Sequence, residues 1–191
     1  MLYLALFGPP GAGKGTQAKK IAEKYRLFHL STGDILRAEI GNASTLGLLA
    51  SGIINRGELL SDEVVMALVE HAIETGGDVP GYLLDGFPRT VQQAEMLDAY
   101  LQKSGERGLA GLLSIEVDKE EVTRRMLKRA SLEGRVDDTE EVIRNRFAEY
   151  EMKTLPVENY YRERGKCFAV NGNRAVEEVF QSLVSIIDTI R

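Results

Sequence analysis

The sequence predicts an α/β fold of three layers, with helices covering both faces of a five-stranded parallel sheet. Five short apolar runs alternate with longer stretches of helical periodicity, the alternation that sets parallel strands between crossover helices. Helix-start signals support it: Thr90 with Gln93, Asp118 with Glu121 and Asp138 with Glu141 have the spacing of a capping box or its Asp variant. The first apolar run also leads directly into a glycine-rich segment and then an amphipathic pattern, which reads as strand, tight loop, helix.

In chain order, Leu2 to Phe7 has the length and composition of a buried strand. Gly8 to Thr16 follows as Gly-Pro-Pro-Gly-Ala-Gly-Lys-Gly-Thr, and a helix is expected to about Tyr25. Phe28 to Leu30, Tyr82 to Leu84, Leu112 to Val117 and Cys167 to Val170 are the other strand candidates. Two stretches fit the layers less well. Ser31 to Leu60 is locally helical but interrupted by glycine, and Ser131 to Asp138 is a short polar connection between helices. Both are expected to cover a site. No internal repeat or low-complexity tract is present.

A chain of 191 residues with 43% apolar and 28% charged residues suits one compact domain with small inserted segments. The net charge of −5 provides no global positive field toward nucleic acid or an anionic membrane, so neither is expected as a partner. The single Cys167 excludes an internal disulfide and a cysteine-rich zinc site and suits a reducing compartment. The N-terminus enters a strand without a basic region or cleavage site, and no apolar stretch reaches ~18 residues. A cytoplasmic location is expected.

Gly8, Gly13 and Lys14 satisfy the pattern G-x-x-x-x-G-K, in which small residues let backbone N–H groups curl around a phosphate. Lys14 adds a point charge, and the following helix turns its positive dipole end to the same anion. The bare pattern would occur by chance in about 5% of chains of this length; the strand before it and the helix after it remove most of those. Further cations stand at the ends of several elements: Arg37, Arg89, Arg125, Arg129, Arg135 and Arg146. Phosphoryl transfer needs this kind of positioning and positive charge, with little covalent chemistry from the protein. A phosphate nucleophile is already ionised at neutral pH, so a dedicated general base is not required. His29 and His71 read as packing or surface residues.

The hydroxyl of the loop comes one place late, at Thr16 after Gly15, a variant that resembles nucleoside monophosphate kinases. Ser-Thr-Gly-Asp-Ile-Leu-Arg at 31 to 37, Asp-Gly-Phe-Pro-Arg-Thr at 85 to 90, and Arg135-x-Asp137-Asp138 followed by Arg146 agree in order and spacing. Together they look like the adenylate kinase family, and the resemblance covers essentially the whole chain. It implies a P-loop fold with a helical NMP-binding segment at 31 to 60 and a short lid at 130 to 138. It also implies reversible transfer of a phosphoryl group from magnesium ATP to AMP, yielding two ADP, by a monomer.

The resemblance implies roles residue by residue. Gly11, Ala12, Gly13, Lys14, Gly15 and Thr16 would hold the donor phosphates. Arg125 would pack over the donor adenine and Arg129 reach the donor phosphates, while Asn171, Gly172 and Arg174 meet the donor base or ribose. Thr32 would lie at the acceptor adenine, with Glu58, Leu59 and Leu60 lining it. Arg37 and Arg89 would grip the acceptor phosphate, and Gly86, Phe87 and Pro88 would shape that side, with a cis bond at Phe87-Pro88. Asp85 would help to hold magnesium through water, and Arg135 and Arg146 would close over the reacting groups. Lys14, Arg89, Arg129, Arg135 and Arg146 form the implied catalytic set.

From the residues alone other readings stay open. Arg37 fits a solvated helix position, Arg125 and Arg129 a charged helix face, Asp85 a strand-end cap, and Glu58 to Leu60 a turn into a helix near Ser61. Gln93 fits either the capping-box partner of Thr90 or an amide that reads the acceptor adenine, which the family favours. The lid segment departs from longer family members: it is short and contains no Cys or His, so a structural zinc is not expected. Two rivals remain. Against a UMP/CMP kinase stand Thr32 and the Thr90 to Gln93 segment, since the related pyrimidine enzymes typically carry Ala at the first position and Asn after the Phe-Pro-Arg segment. Against a non-catalytic nucleotide-binding module stands the full arginine set, since binding alone does not need those that act in the transition state.

Overall fold

A computed structural model describes residues 1–133 and 139–191, the side chains of 129–133 excepted. The strands are β1 (Leu2–Phe7), β2 (Phe28–Ser31), β3 (Gly81–Asp85), β4 (Gly111–Glu116) and β5 (Cys167–Asn171). They form one sheet in the order β2-β3-β1-β4-β5, parallel throughout. Each lies within one residue of its expected bounds. The residues added at the ends, such as Ser31, Asp85 and Asn171, are polar, so an apolar run does not mark them.

The helices are α1 (Lys14–Tyr25), α2 (Thr32–Gly41), α3 (Thr45–Asn55), α4 (Asp62–Thr75), α5 (Val91–Lys103), α6 (Lys119–Glu133), α7 (Glu140–Glu149), α8 (Pro156–Arg162) and α9 (Val176–Ile190). Alternate strand residues feed two cores. Leu4, Leu6, Leu83, Leu113, Ile115 and Val170 pack with Ile21 of α1 and Val179, Leu183 and Ile187 of α9. On the other face Tyr3, Ala5, Phe7, Tyr82, Leu84 and Leu112 meet residues of α4, α5 and α8, among them Val69, Leu97 and Tyr161. A parallel sheet covered on both sides needs such apolar strands, which explains why they read as continuous runs. Among the described residues no helix is long and apolar enough to cross a membrane.

Within the stretch from 31 to 60, an insertion between β2 and α4, the chain forms the helix pair α2 and α3. Its glycines permit close contact: a Cβ on Gly47 would lie 2.1 Å from the Glu39 carbonyl oxygen. The polar stretch expected as a short connection from 130 starts as helix. Helix α6 continues to Glu133, so residues 130 to 133 prolong the helix that carries Arg125 and Arg129. Residues 134–138, including Arg135, Asp137 and Asp138, lie outside the described residues.

Two helix-start expectations are also corrected. Helix α7 is capped by Thr139, whose side chain accepts from the Val142 N–H, because a short hydroxyl one residue nearer the helix reaches that donor. At α6, Asp118 turns to Asn173, with its N–H 3.2 Å from Asn173 Oδ1 and its Oδ2 3.0 Å from Asn173 Nδ2. Glu121 then binds Arg124 and Arg125 instead of closing a capping box. Beyond α7 a π-turn at Tyr150–Thr154 leads to α8, and the Tyr150 ring packs 5.9 Å from that of Phe7, centroid to centroid.

Candidate active site

Parallel strands end on the same edge of the sheet, so the loops that leave β1, β3, β4 and β5 gather there. The loop after β1 is built on glycine. Gly8, Gly11 and Gly13 have φ of 137°, 84° and 93°, in the region L side chains avoid. A Cβ on Gly8 would stand 2.5 Å from the Ile115 carbonyl oxygen and one on Gly11 2.8 Å from that of Val122. The loop therefore presses its backbone against β4 and α6, while around Gly13 nothing lies within 4 Å of the Cβ position. Lys14, the first residue of α1, donates from Nζ to the Gly8 and Pro9 carbonyl oxygens at 2.7 and 3.0 Å, spanning the loop. Ala12 is buried, and Gly15 and Thr16 are exposed at the helix start. The predicted residues Gly11 to Thr16 thus share one loop and one helix N-terminus.

Asp85 ends β3 in register with Leu6 of β1 and Ser31 of β2. Its Oδ2 lies 3.8 Å from the Cβ position of Gly15, which sets the carboxylate beside the mouth of the loop. His29 Nε2 is 3.2 Å from the same oxygen, so the expectation that His29 only packs or faces solvent is corrected. His29 shares a strand face with Ser31, and Ser31 pairs with Asp85. The strand alternation is visible in sequence, but the register that makes the contact is not. Among the described residues no three His, Cys, Asp or Glu side chains form a metal-holding group. One carboxylate at the mouth of a phosphate loop suits magnesium, which keeps several waters and binds through one or two carboxylates and the substrate phosphates.

The turn after Asp85 organises the next group. Phe87-Pro88 is cis, as the resemblance implies, and Gly86 has φ of 78°. A Cβ on Gly86 would stand 2.7 Å from an Arg89 guanidinium nitrogen and 3.1 Å from Thr32 Oγ1. Arg89 Nε donates to the Gly86 carbonyl oxygen at 2.7 Å, and the buried Thr32 hydroxyl donates to the same oxygen at 3.1 Å. Burial lowers the Arg89 pKa, the Asp85 carboxylate opposes it, and Arg146 and Arg37 lower it further. The charges of Arg37 and Arg146, from two other elements, therefore act on Arg89 here, a surplus of like charge that favours an anionic ligand.

Arg37 pairs with Asp34 one turn earlier on α2. Arg146 lies against the end of the insertion, its Cγ 3.1 Å from the Cβ position of Gly57. Next in the chain, Glu58 pairs with Arg56 at 2.8 Å, Leu59 is half-buried and Leu60 buried. The two readings of Gln93 also separate. Thr90 caps α5 by accepting from the Gln93 N–H at 3.0 Å, but the Gln93 amide turns away, with Oε1 accepting from the Arg89 N–H at 2.7 Å. The reciprocal half of a capping box is therefore not made, and Gln93 is 1% exposed.

On the other side of the phosphate loop, Arg125 is held at three points. Its Nε donates to Glu121 at 2.7 Å, and its terminal nitrogens lie 3.0 Å from the Gly172 and 3.5 Å from the Ala12 carbonyl oxygens. A Cβ on Gly172 would meet methyl groups of Ile115 and Val117 at 2.5 Å, so this position offers backbone only. Glu116, Val117, Asp118, Asn171 and Asn173 line an adjacent hollow of about 280 Å³. Asn173, which ties its two loops together, was missed in the sequence. Arg174 is exposed. Arg129 stands one turn beyond Arg125 on α6 with its side chain outside the described residues, as is the whole of Arg135.

A family model described as adenylate kinase matches residues 6–166. Among curated proteins, "Adenylate kinase" of Flavobacterium psychrophilum is 43% identical over 191 residues, covering 100% of both chains. The protein of that name from Bacteroides fragilis is 40% identical over 190 residues, again covering 100% of both. One from Synechococcus sp. is 44% identical over 184 residues, 96% of this chain and 97% of its own. With the glycine-built phosphate loop, Arg89 held against Gly86 and matches that run the length of the chain, this protein belongs to the adenylate kinase family.

Proposed function

We propose that this site divides the family's reaction, the reversible transfer of a phosphoryl group from magnesium ATP to AMP with formation of two ADP, into a donor half and an acceptor half. The observation that carries the reading is the placement of Arg89, held to the Gly86 carbonyl oxygen at 2.7 Å within the field of Arg37, Arg146 and Asp85, with the Asp85 carboxylate beside the mouth of the phosphate loop. Residues 11 to 16 bind the donor phosphates through backbone N–H groups, and Lys14 shifts its ammonium from the loop carbonyls to phosphate oxygens. Arg125, with the Gly172 backbone and Arg174, holds the donor base and ribose. Arg37 and Arg89 orient the acceptor phosphate, while Thr32, Gln93 and the 58 to 60 segment enclose its base next to Gly86, Phe87 and Pro88.

Asp85 would hold the magnesium ion through water, and the ion when bound neutralises charge on the phosphate oxygens. Arg129, Arg135 and Arg146 stabilise the negative charge that spreads during transfer. The lid segment excludes water that would otherwise compete with the acceptor. Arg135→Ala should therefore lower turnover far more than the unfolding temperature, and equal turnover in variant and parent would refute that role. The single cysteine supports a reducing, cytoplasmic setting and the net charge of −5 a protein that binds neither nucleic acid nor membrane; a monomer is what the family resemblance implies.

The test is ADP formation from magnesium ATP with AMP, CMP, UMP or GMP, with a no-acceptor control. Fast turnover with AMP alone supports the assignment. Preference for CMP or UMP would overturn the roles of Thr32 and Gln93, and no transfer to any acceptor would point to a binding module.

A further inference from the structure

Asp62 opens α4 just after the 58 to 60 segment, and its Oδ1 accepts two hydrogen bonds, one from the residue that caps α5 and one from the first turn of α5. The Thr90 hydroxyl donates to it at 2.9 Å and Gln93 Nε2 at 2.8 Å. The other end of the Gln93 amide accepts from the Arg89 N–H at 2.7 Å. An amide oxygen and nitrogen are nearly equal in size, so an amide's orientation depends on the hydrogen-bonding sense of its partners. Here both partners have one sense only. An ionised carboxylate can only accept and a backbone N–H can only donate, so the buried Gln93 amide has one satisfied orientation.

We infer that Asp62 is a specificity-determining positioning residue: by holding the Gln93 amide one way round, it sets the hydrogen-bond pattern that the acceptor base must present. This rests on the proposed role of Gln93 at the acceptor base. A primary amide has two N–H groups and two lone pairs. Asp62 engages one N–H and Arg89 one lone pair, which leaves one donor and one acceptor in fixed order. Adenine offers a matching edge, with an acceptor at N1 beside the donor N6 amino group. Hypoxanthine has the same size and the reversed pattern, a donor N1–H beside the acceptor O6. With an Asn at position 62, whose amide both donates and accepts, the sense of the Gln93 amide is no longer enforced from that side.

The experiment is kcat/KM for AMP and for IMP at saturating magnesium ATP, in the parent, Asp62→Asn and Gln93→Leu proteins. For Asp62→Asn the AMP-to-IMP ratio should fall roughly tenfold, the scale of one hydrogen bond to a charged group, with KM for magnesium ATP unchanged. A merely structural role for Asp62 would lower both acceptors together, leave their ratio intact, and overturn the inference. If Gln93→Leu also leaves the ratio unchanged, the proposed role of Gln93 falls and the inference with it. If Gln93→Leu lowers the ratio and Asp62→Asn does not, the inference alone fails. Should Asp62→Asn not fold, Asp62→Ser also removes the acceptor-only group and carries the same expectation.

Discussion

Gly86→Ala separates what the fold tolerates from what the site needs. Position 86 has φ of 78°, and an L side chain in the left-handed region costs roughly 1–2 kcal/mol. For a chain of this size 1 kcal/mol moves the midpoint by about 2–4 °C, so a fall of about 2–8 °C is expected in a thermal scan. The effect on function should be larger. The new methyl would stand 2.7 Å from an Arg89 guanidinium nitrogen, which must withdraw by about 0.7 Å to reach ordinary contact at 3.4 Å. That movement breaks the geometry in which Arg89 Nε donates to the Gly86 carbonyl oxygen at 2.7 Å. A hydrogen bond to a charged group contributes about 1.5–3 kcal/mol, or roughly 10- to 150-fold in kcat/KM for the acceptor. Initial rates at saturating magnesium ATP with varied AMP, and the converse, separate the two substrates. A fall under threefold for AMP in a folded variant, or an equal loss for donor and acceptor, would refute the reasoning.

Lys14→Ala should reduce turnover by the order of 10³-fold or more, as for other donors aimed at transition-state charge, while circular dichroism stays native; a loss under tenfold would count against its role. Glu121, held by Arg124 and then Arg125, has its pKa lowered to about 2. Its folded pKa lies below the ordinary value, so its stabilisation is complete above about pH 4.5 and is lost as pH falls toward 2. Titration of its carboxyl carbon by NMR should show no inflection between pH 4 and 8, whereas one near 4.5 would indicate a free carboxylate. Burial, then Glu158, raises the Cys167 thiol pKa, so the native protein should react with a disulfide reagent at pH 8 more slowly than the urea-unfolded chain. Equal rates would show an accessible, unperturbed thiol.

Much of the site was legible because its chemistry is local. Gly8 to Thr16 needs only consecutive small residues, a lysine and a helix start, and Gly86 to Arg89 lies within one turn. The less legible part depends on contacts between distant segments. His29 reaches Asp85 through the pairing of β2 with β3, and Asp118 leaves its capping role because Asn173, 55 residues later, faces it. The hydrogen bond between the buried Ser114 and Glu158 likewise joins the middle of β4 to α8, and neither residue carries a local signal.

The sequence by itself determined the layer architecture, the five strands to within a residue and the phosphate loop, since apolar periodicity and glycine spacing act over a few neighbouring residues. Only the tertiary structure decided the order of the strands, the grouping of Arg37, Arg89 and Arg146, and the orientation of the Gln93 amide between Arg89 and Asp62. The physical reason is that a hydrogen bond's partner, unlike a residue's polarity, is chosen by packing between elements far apart in the chain.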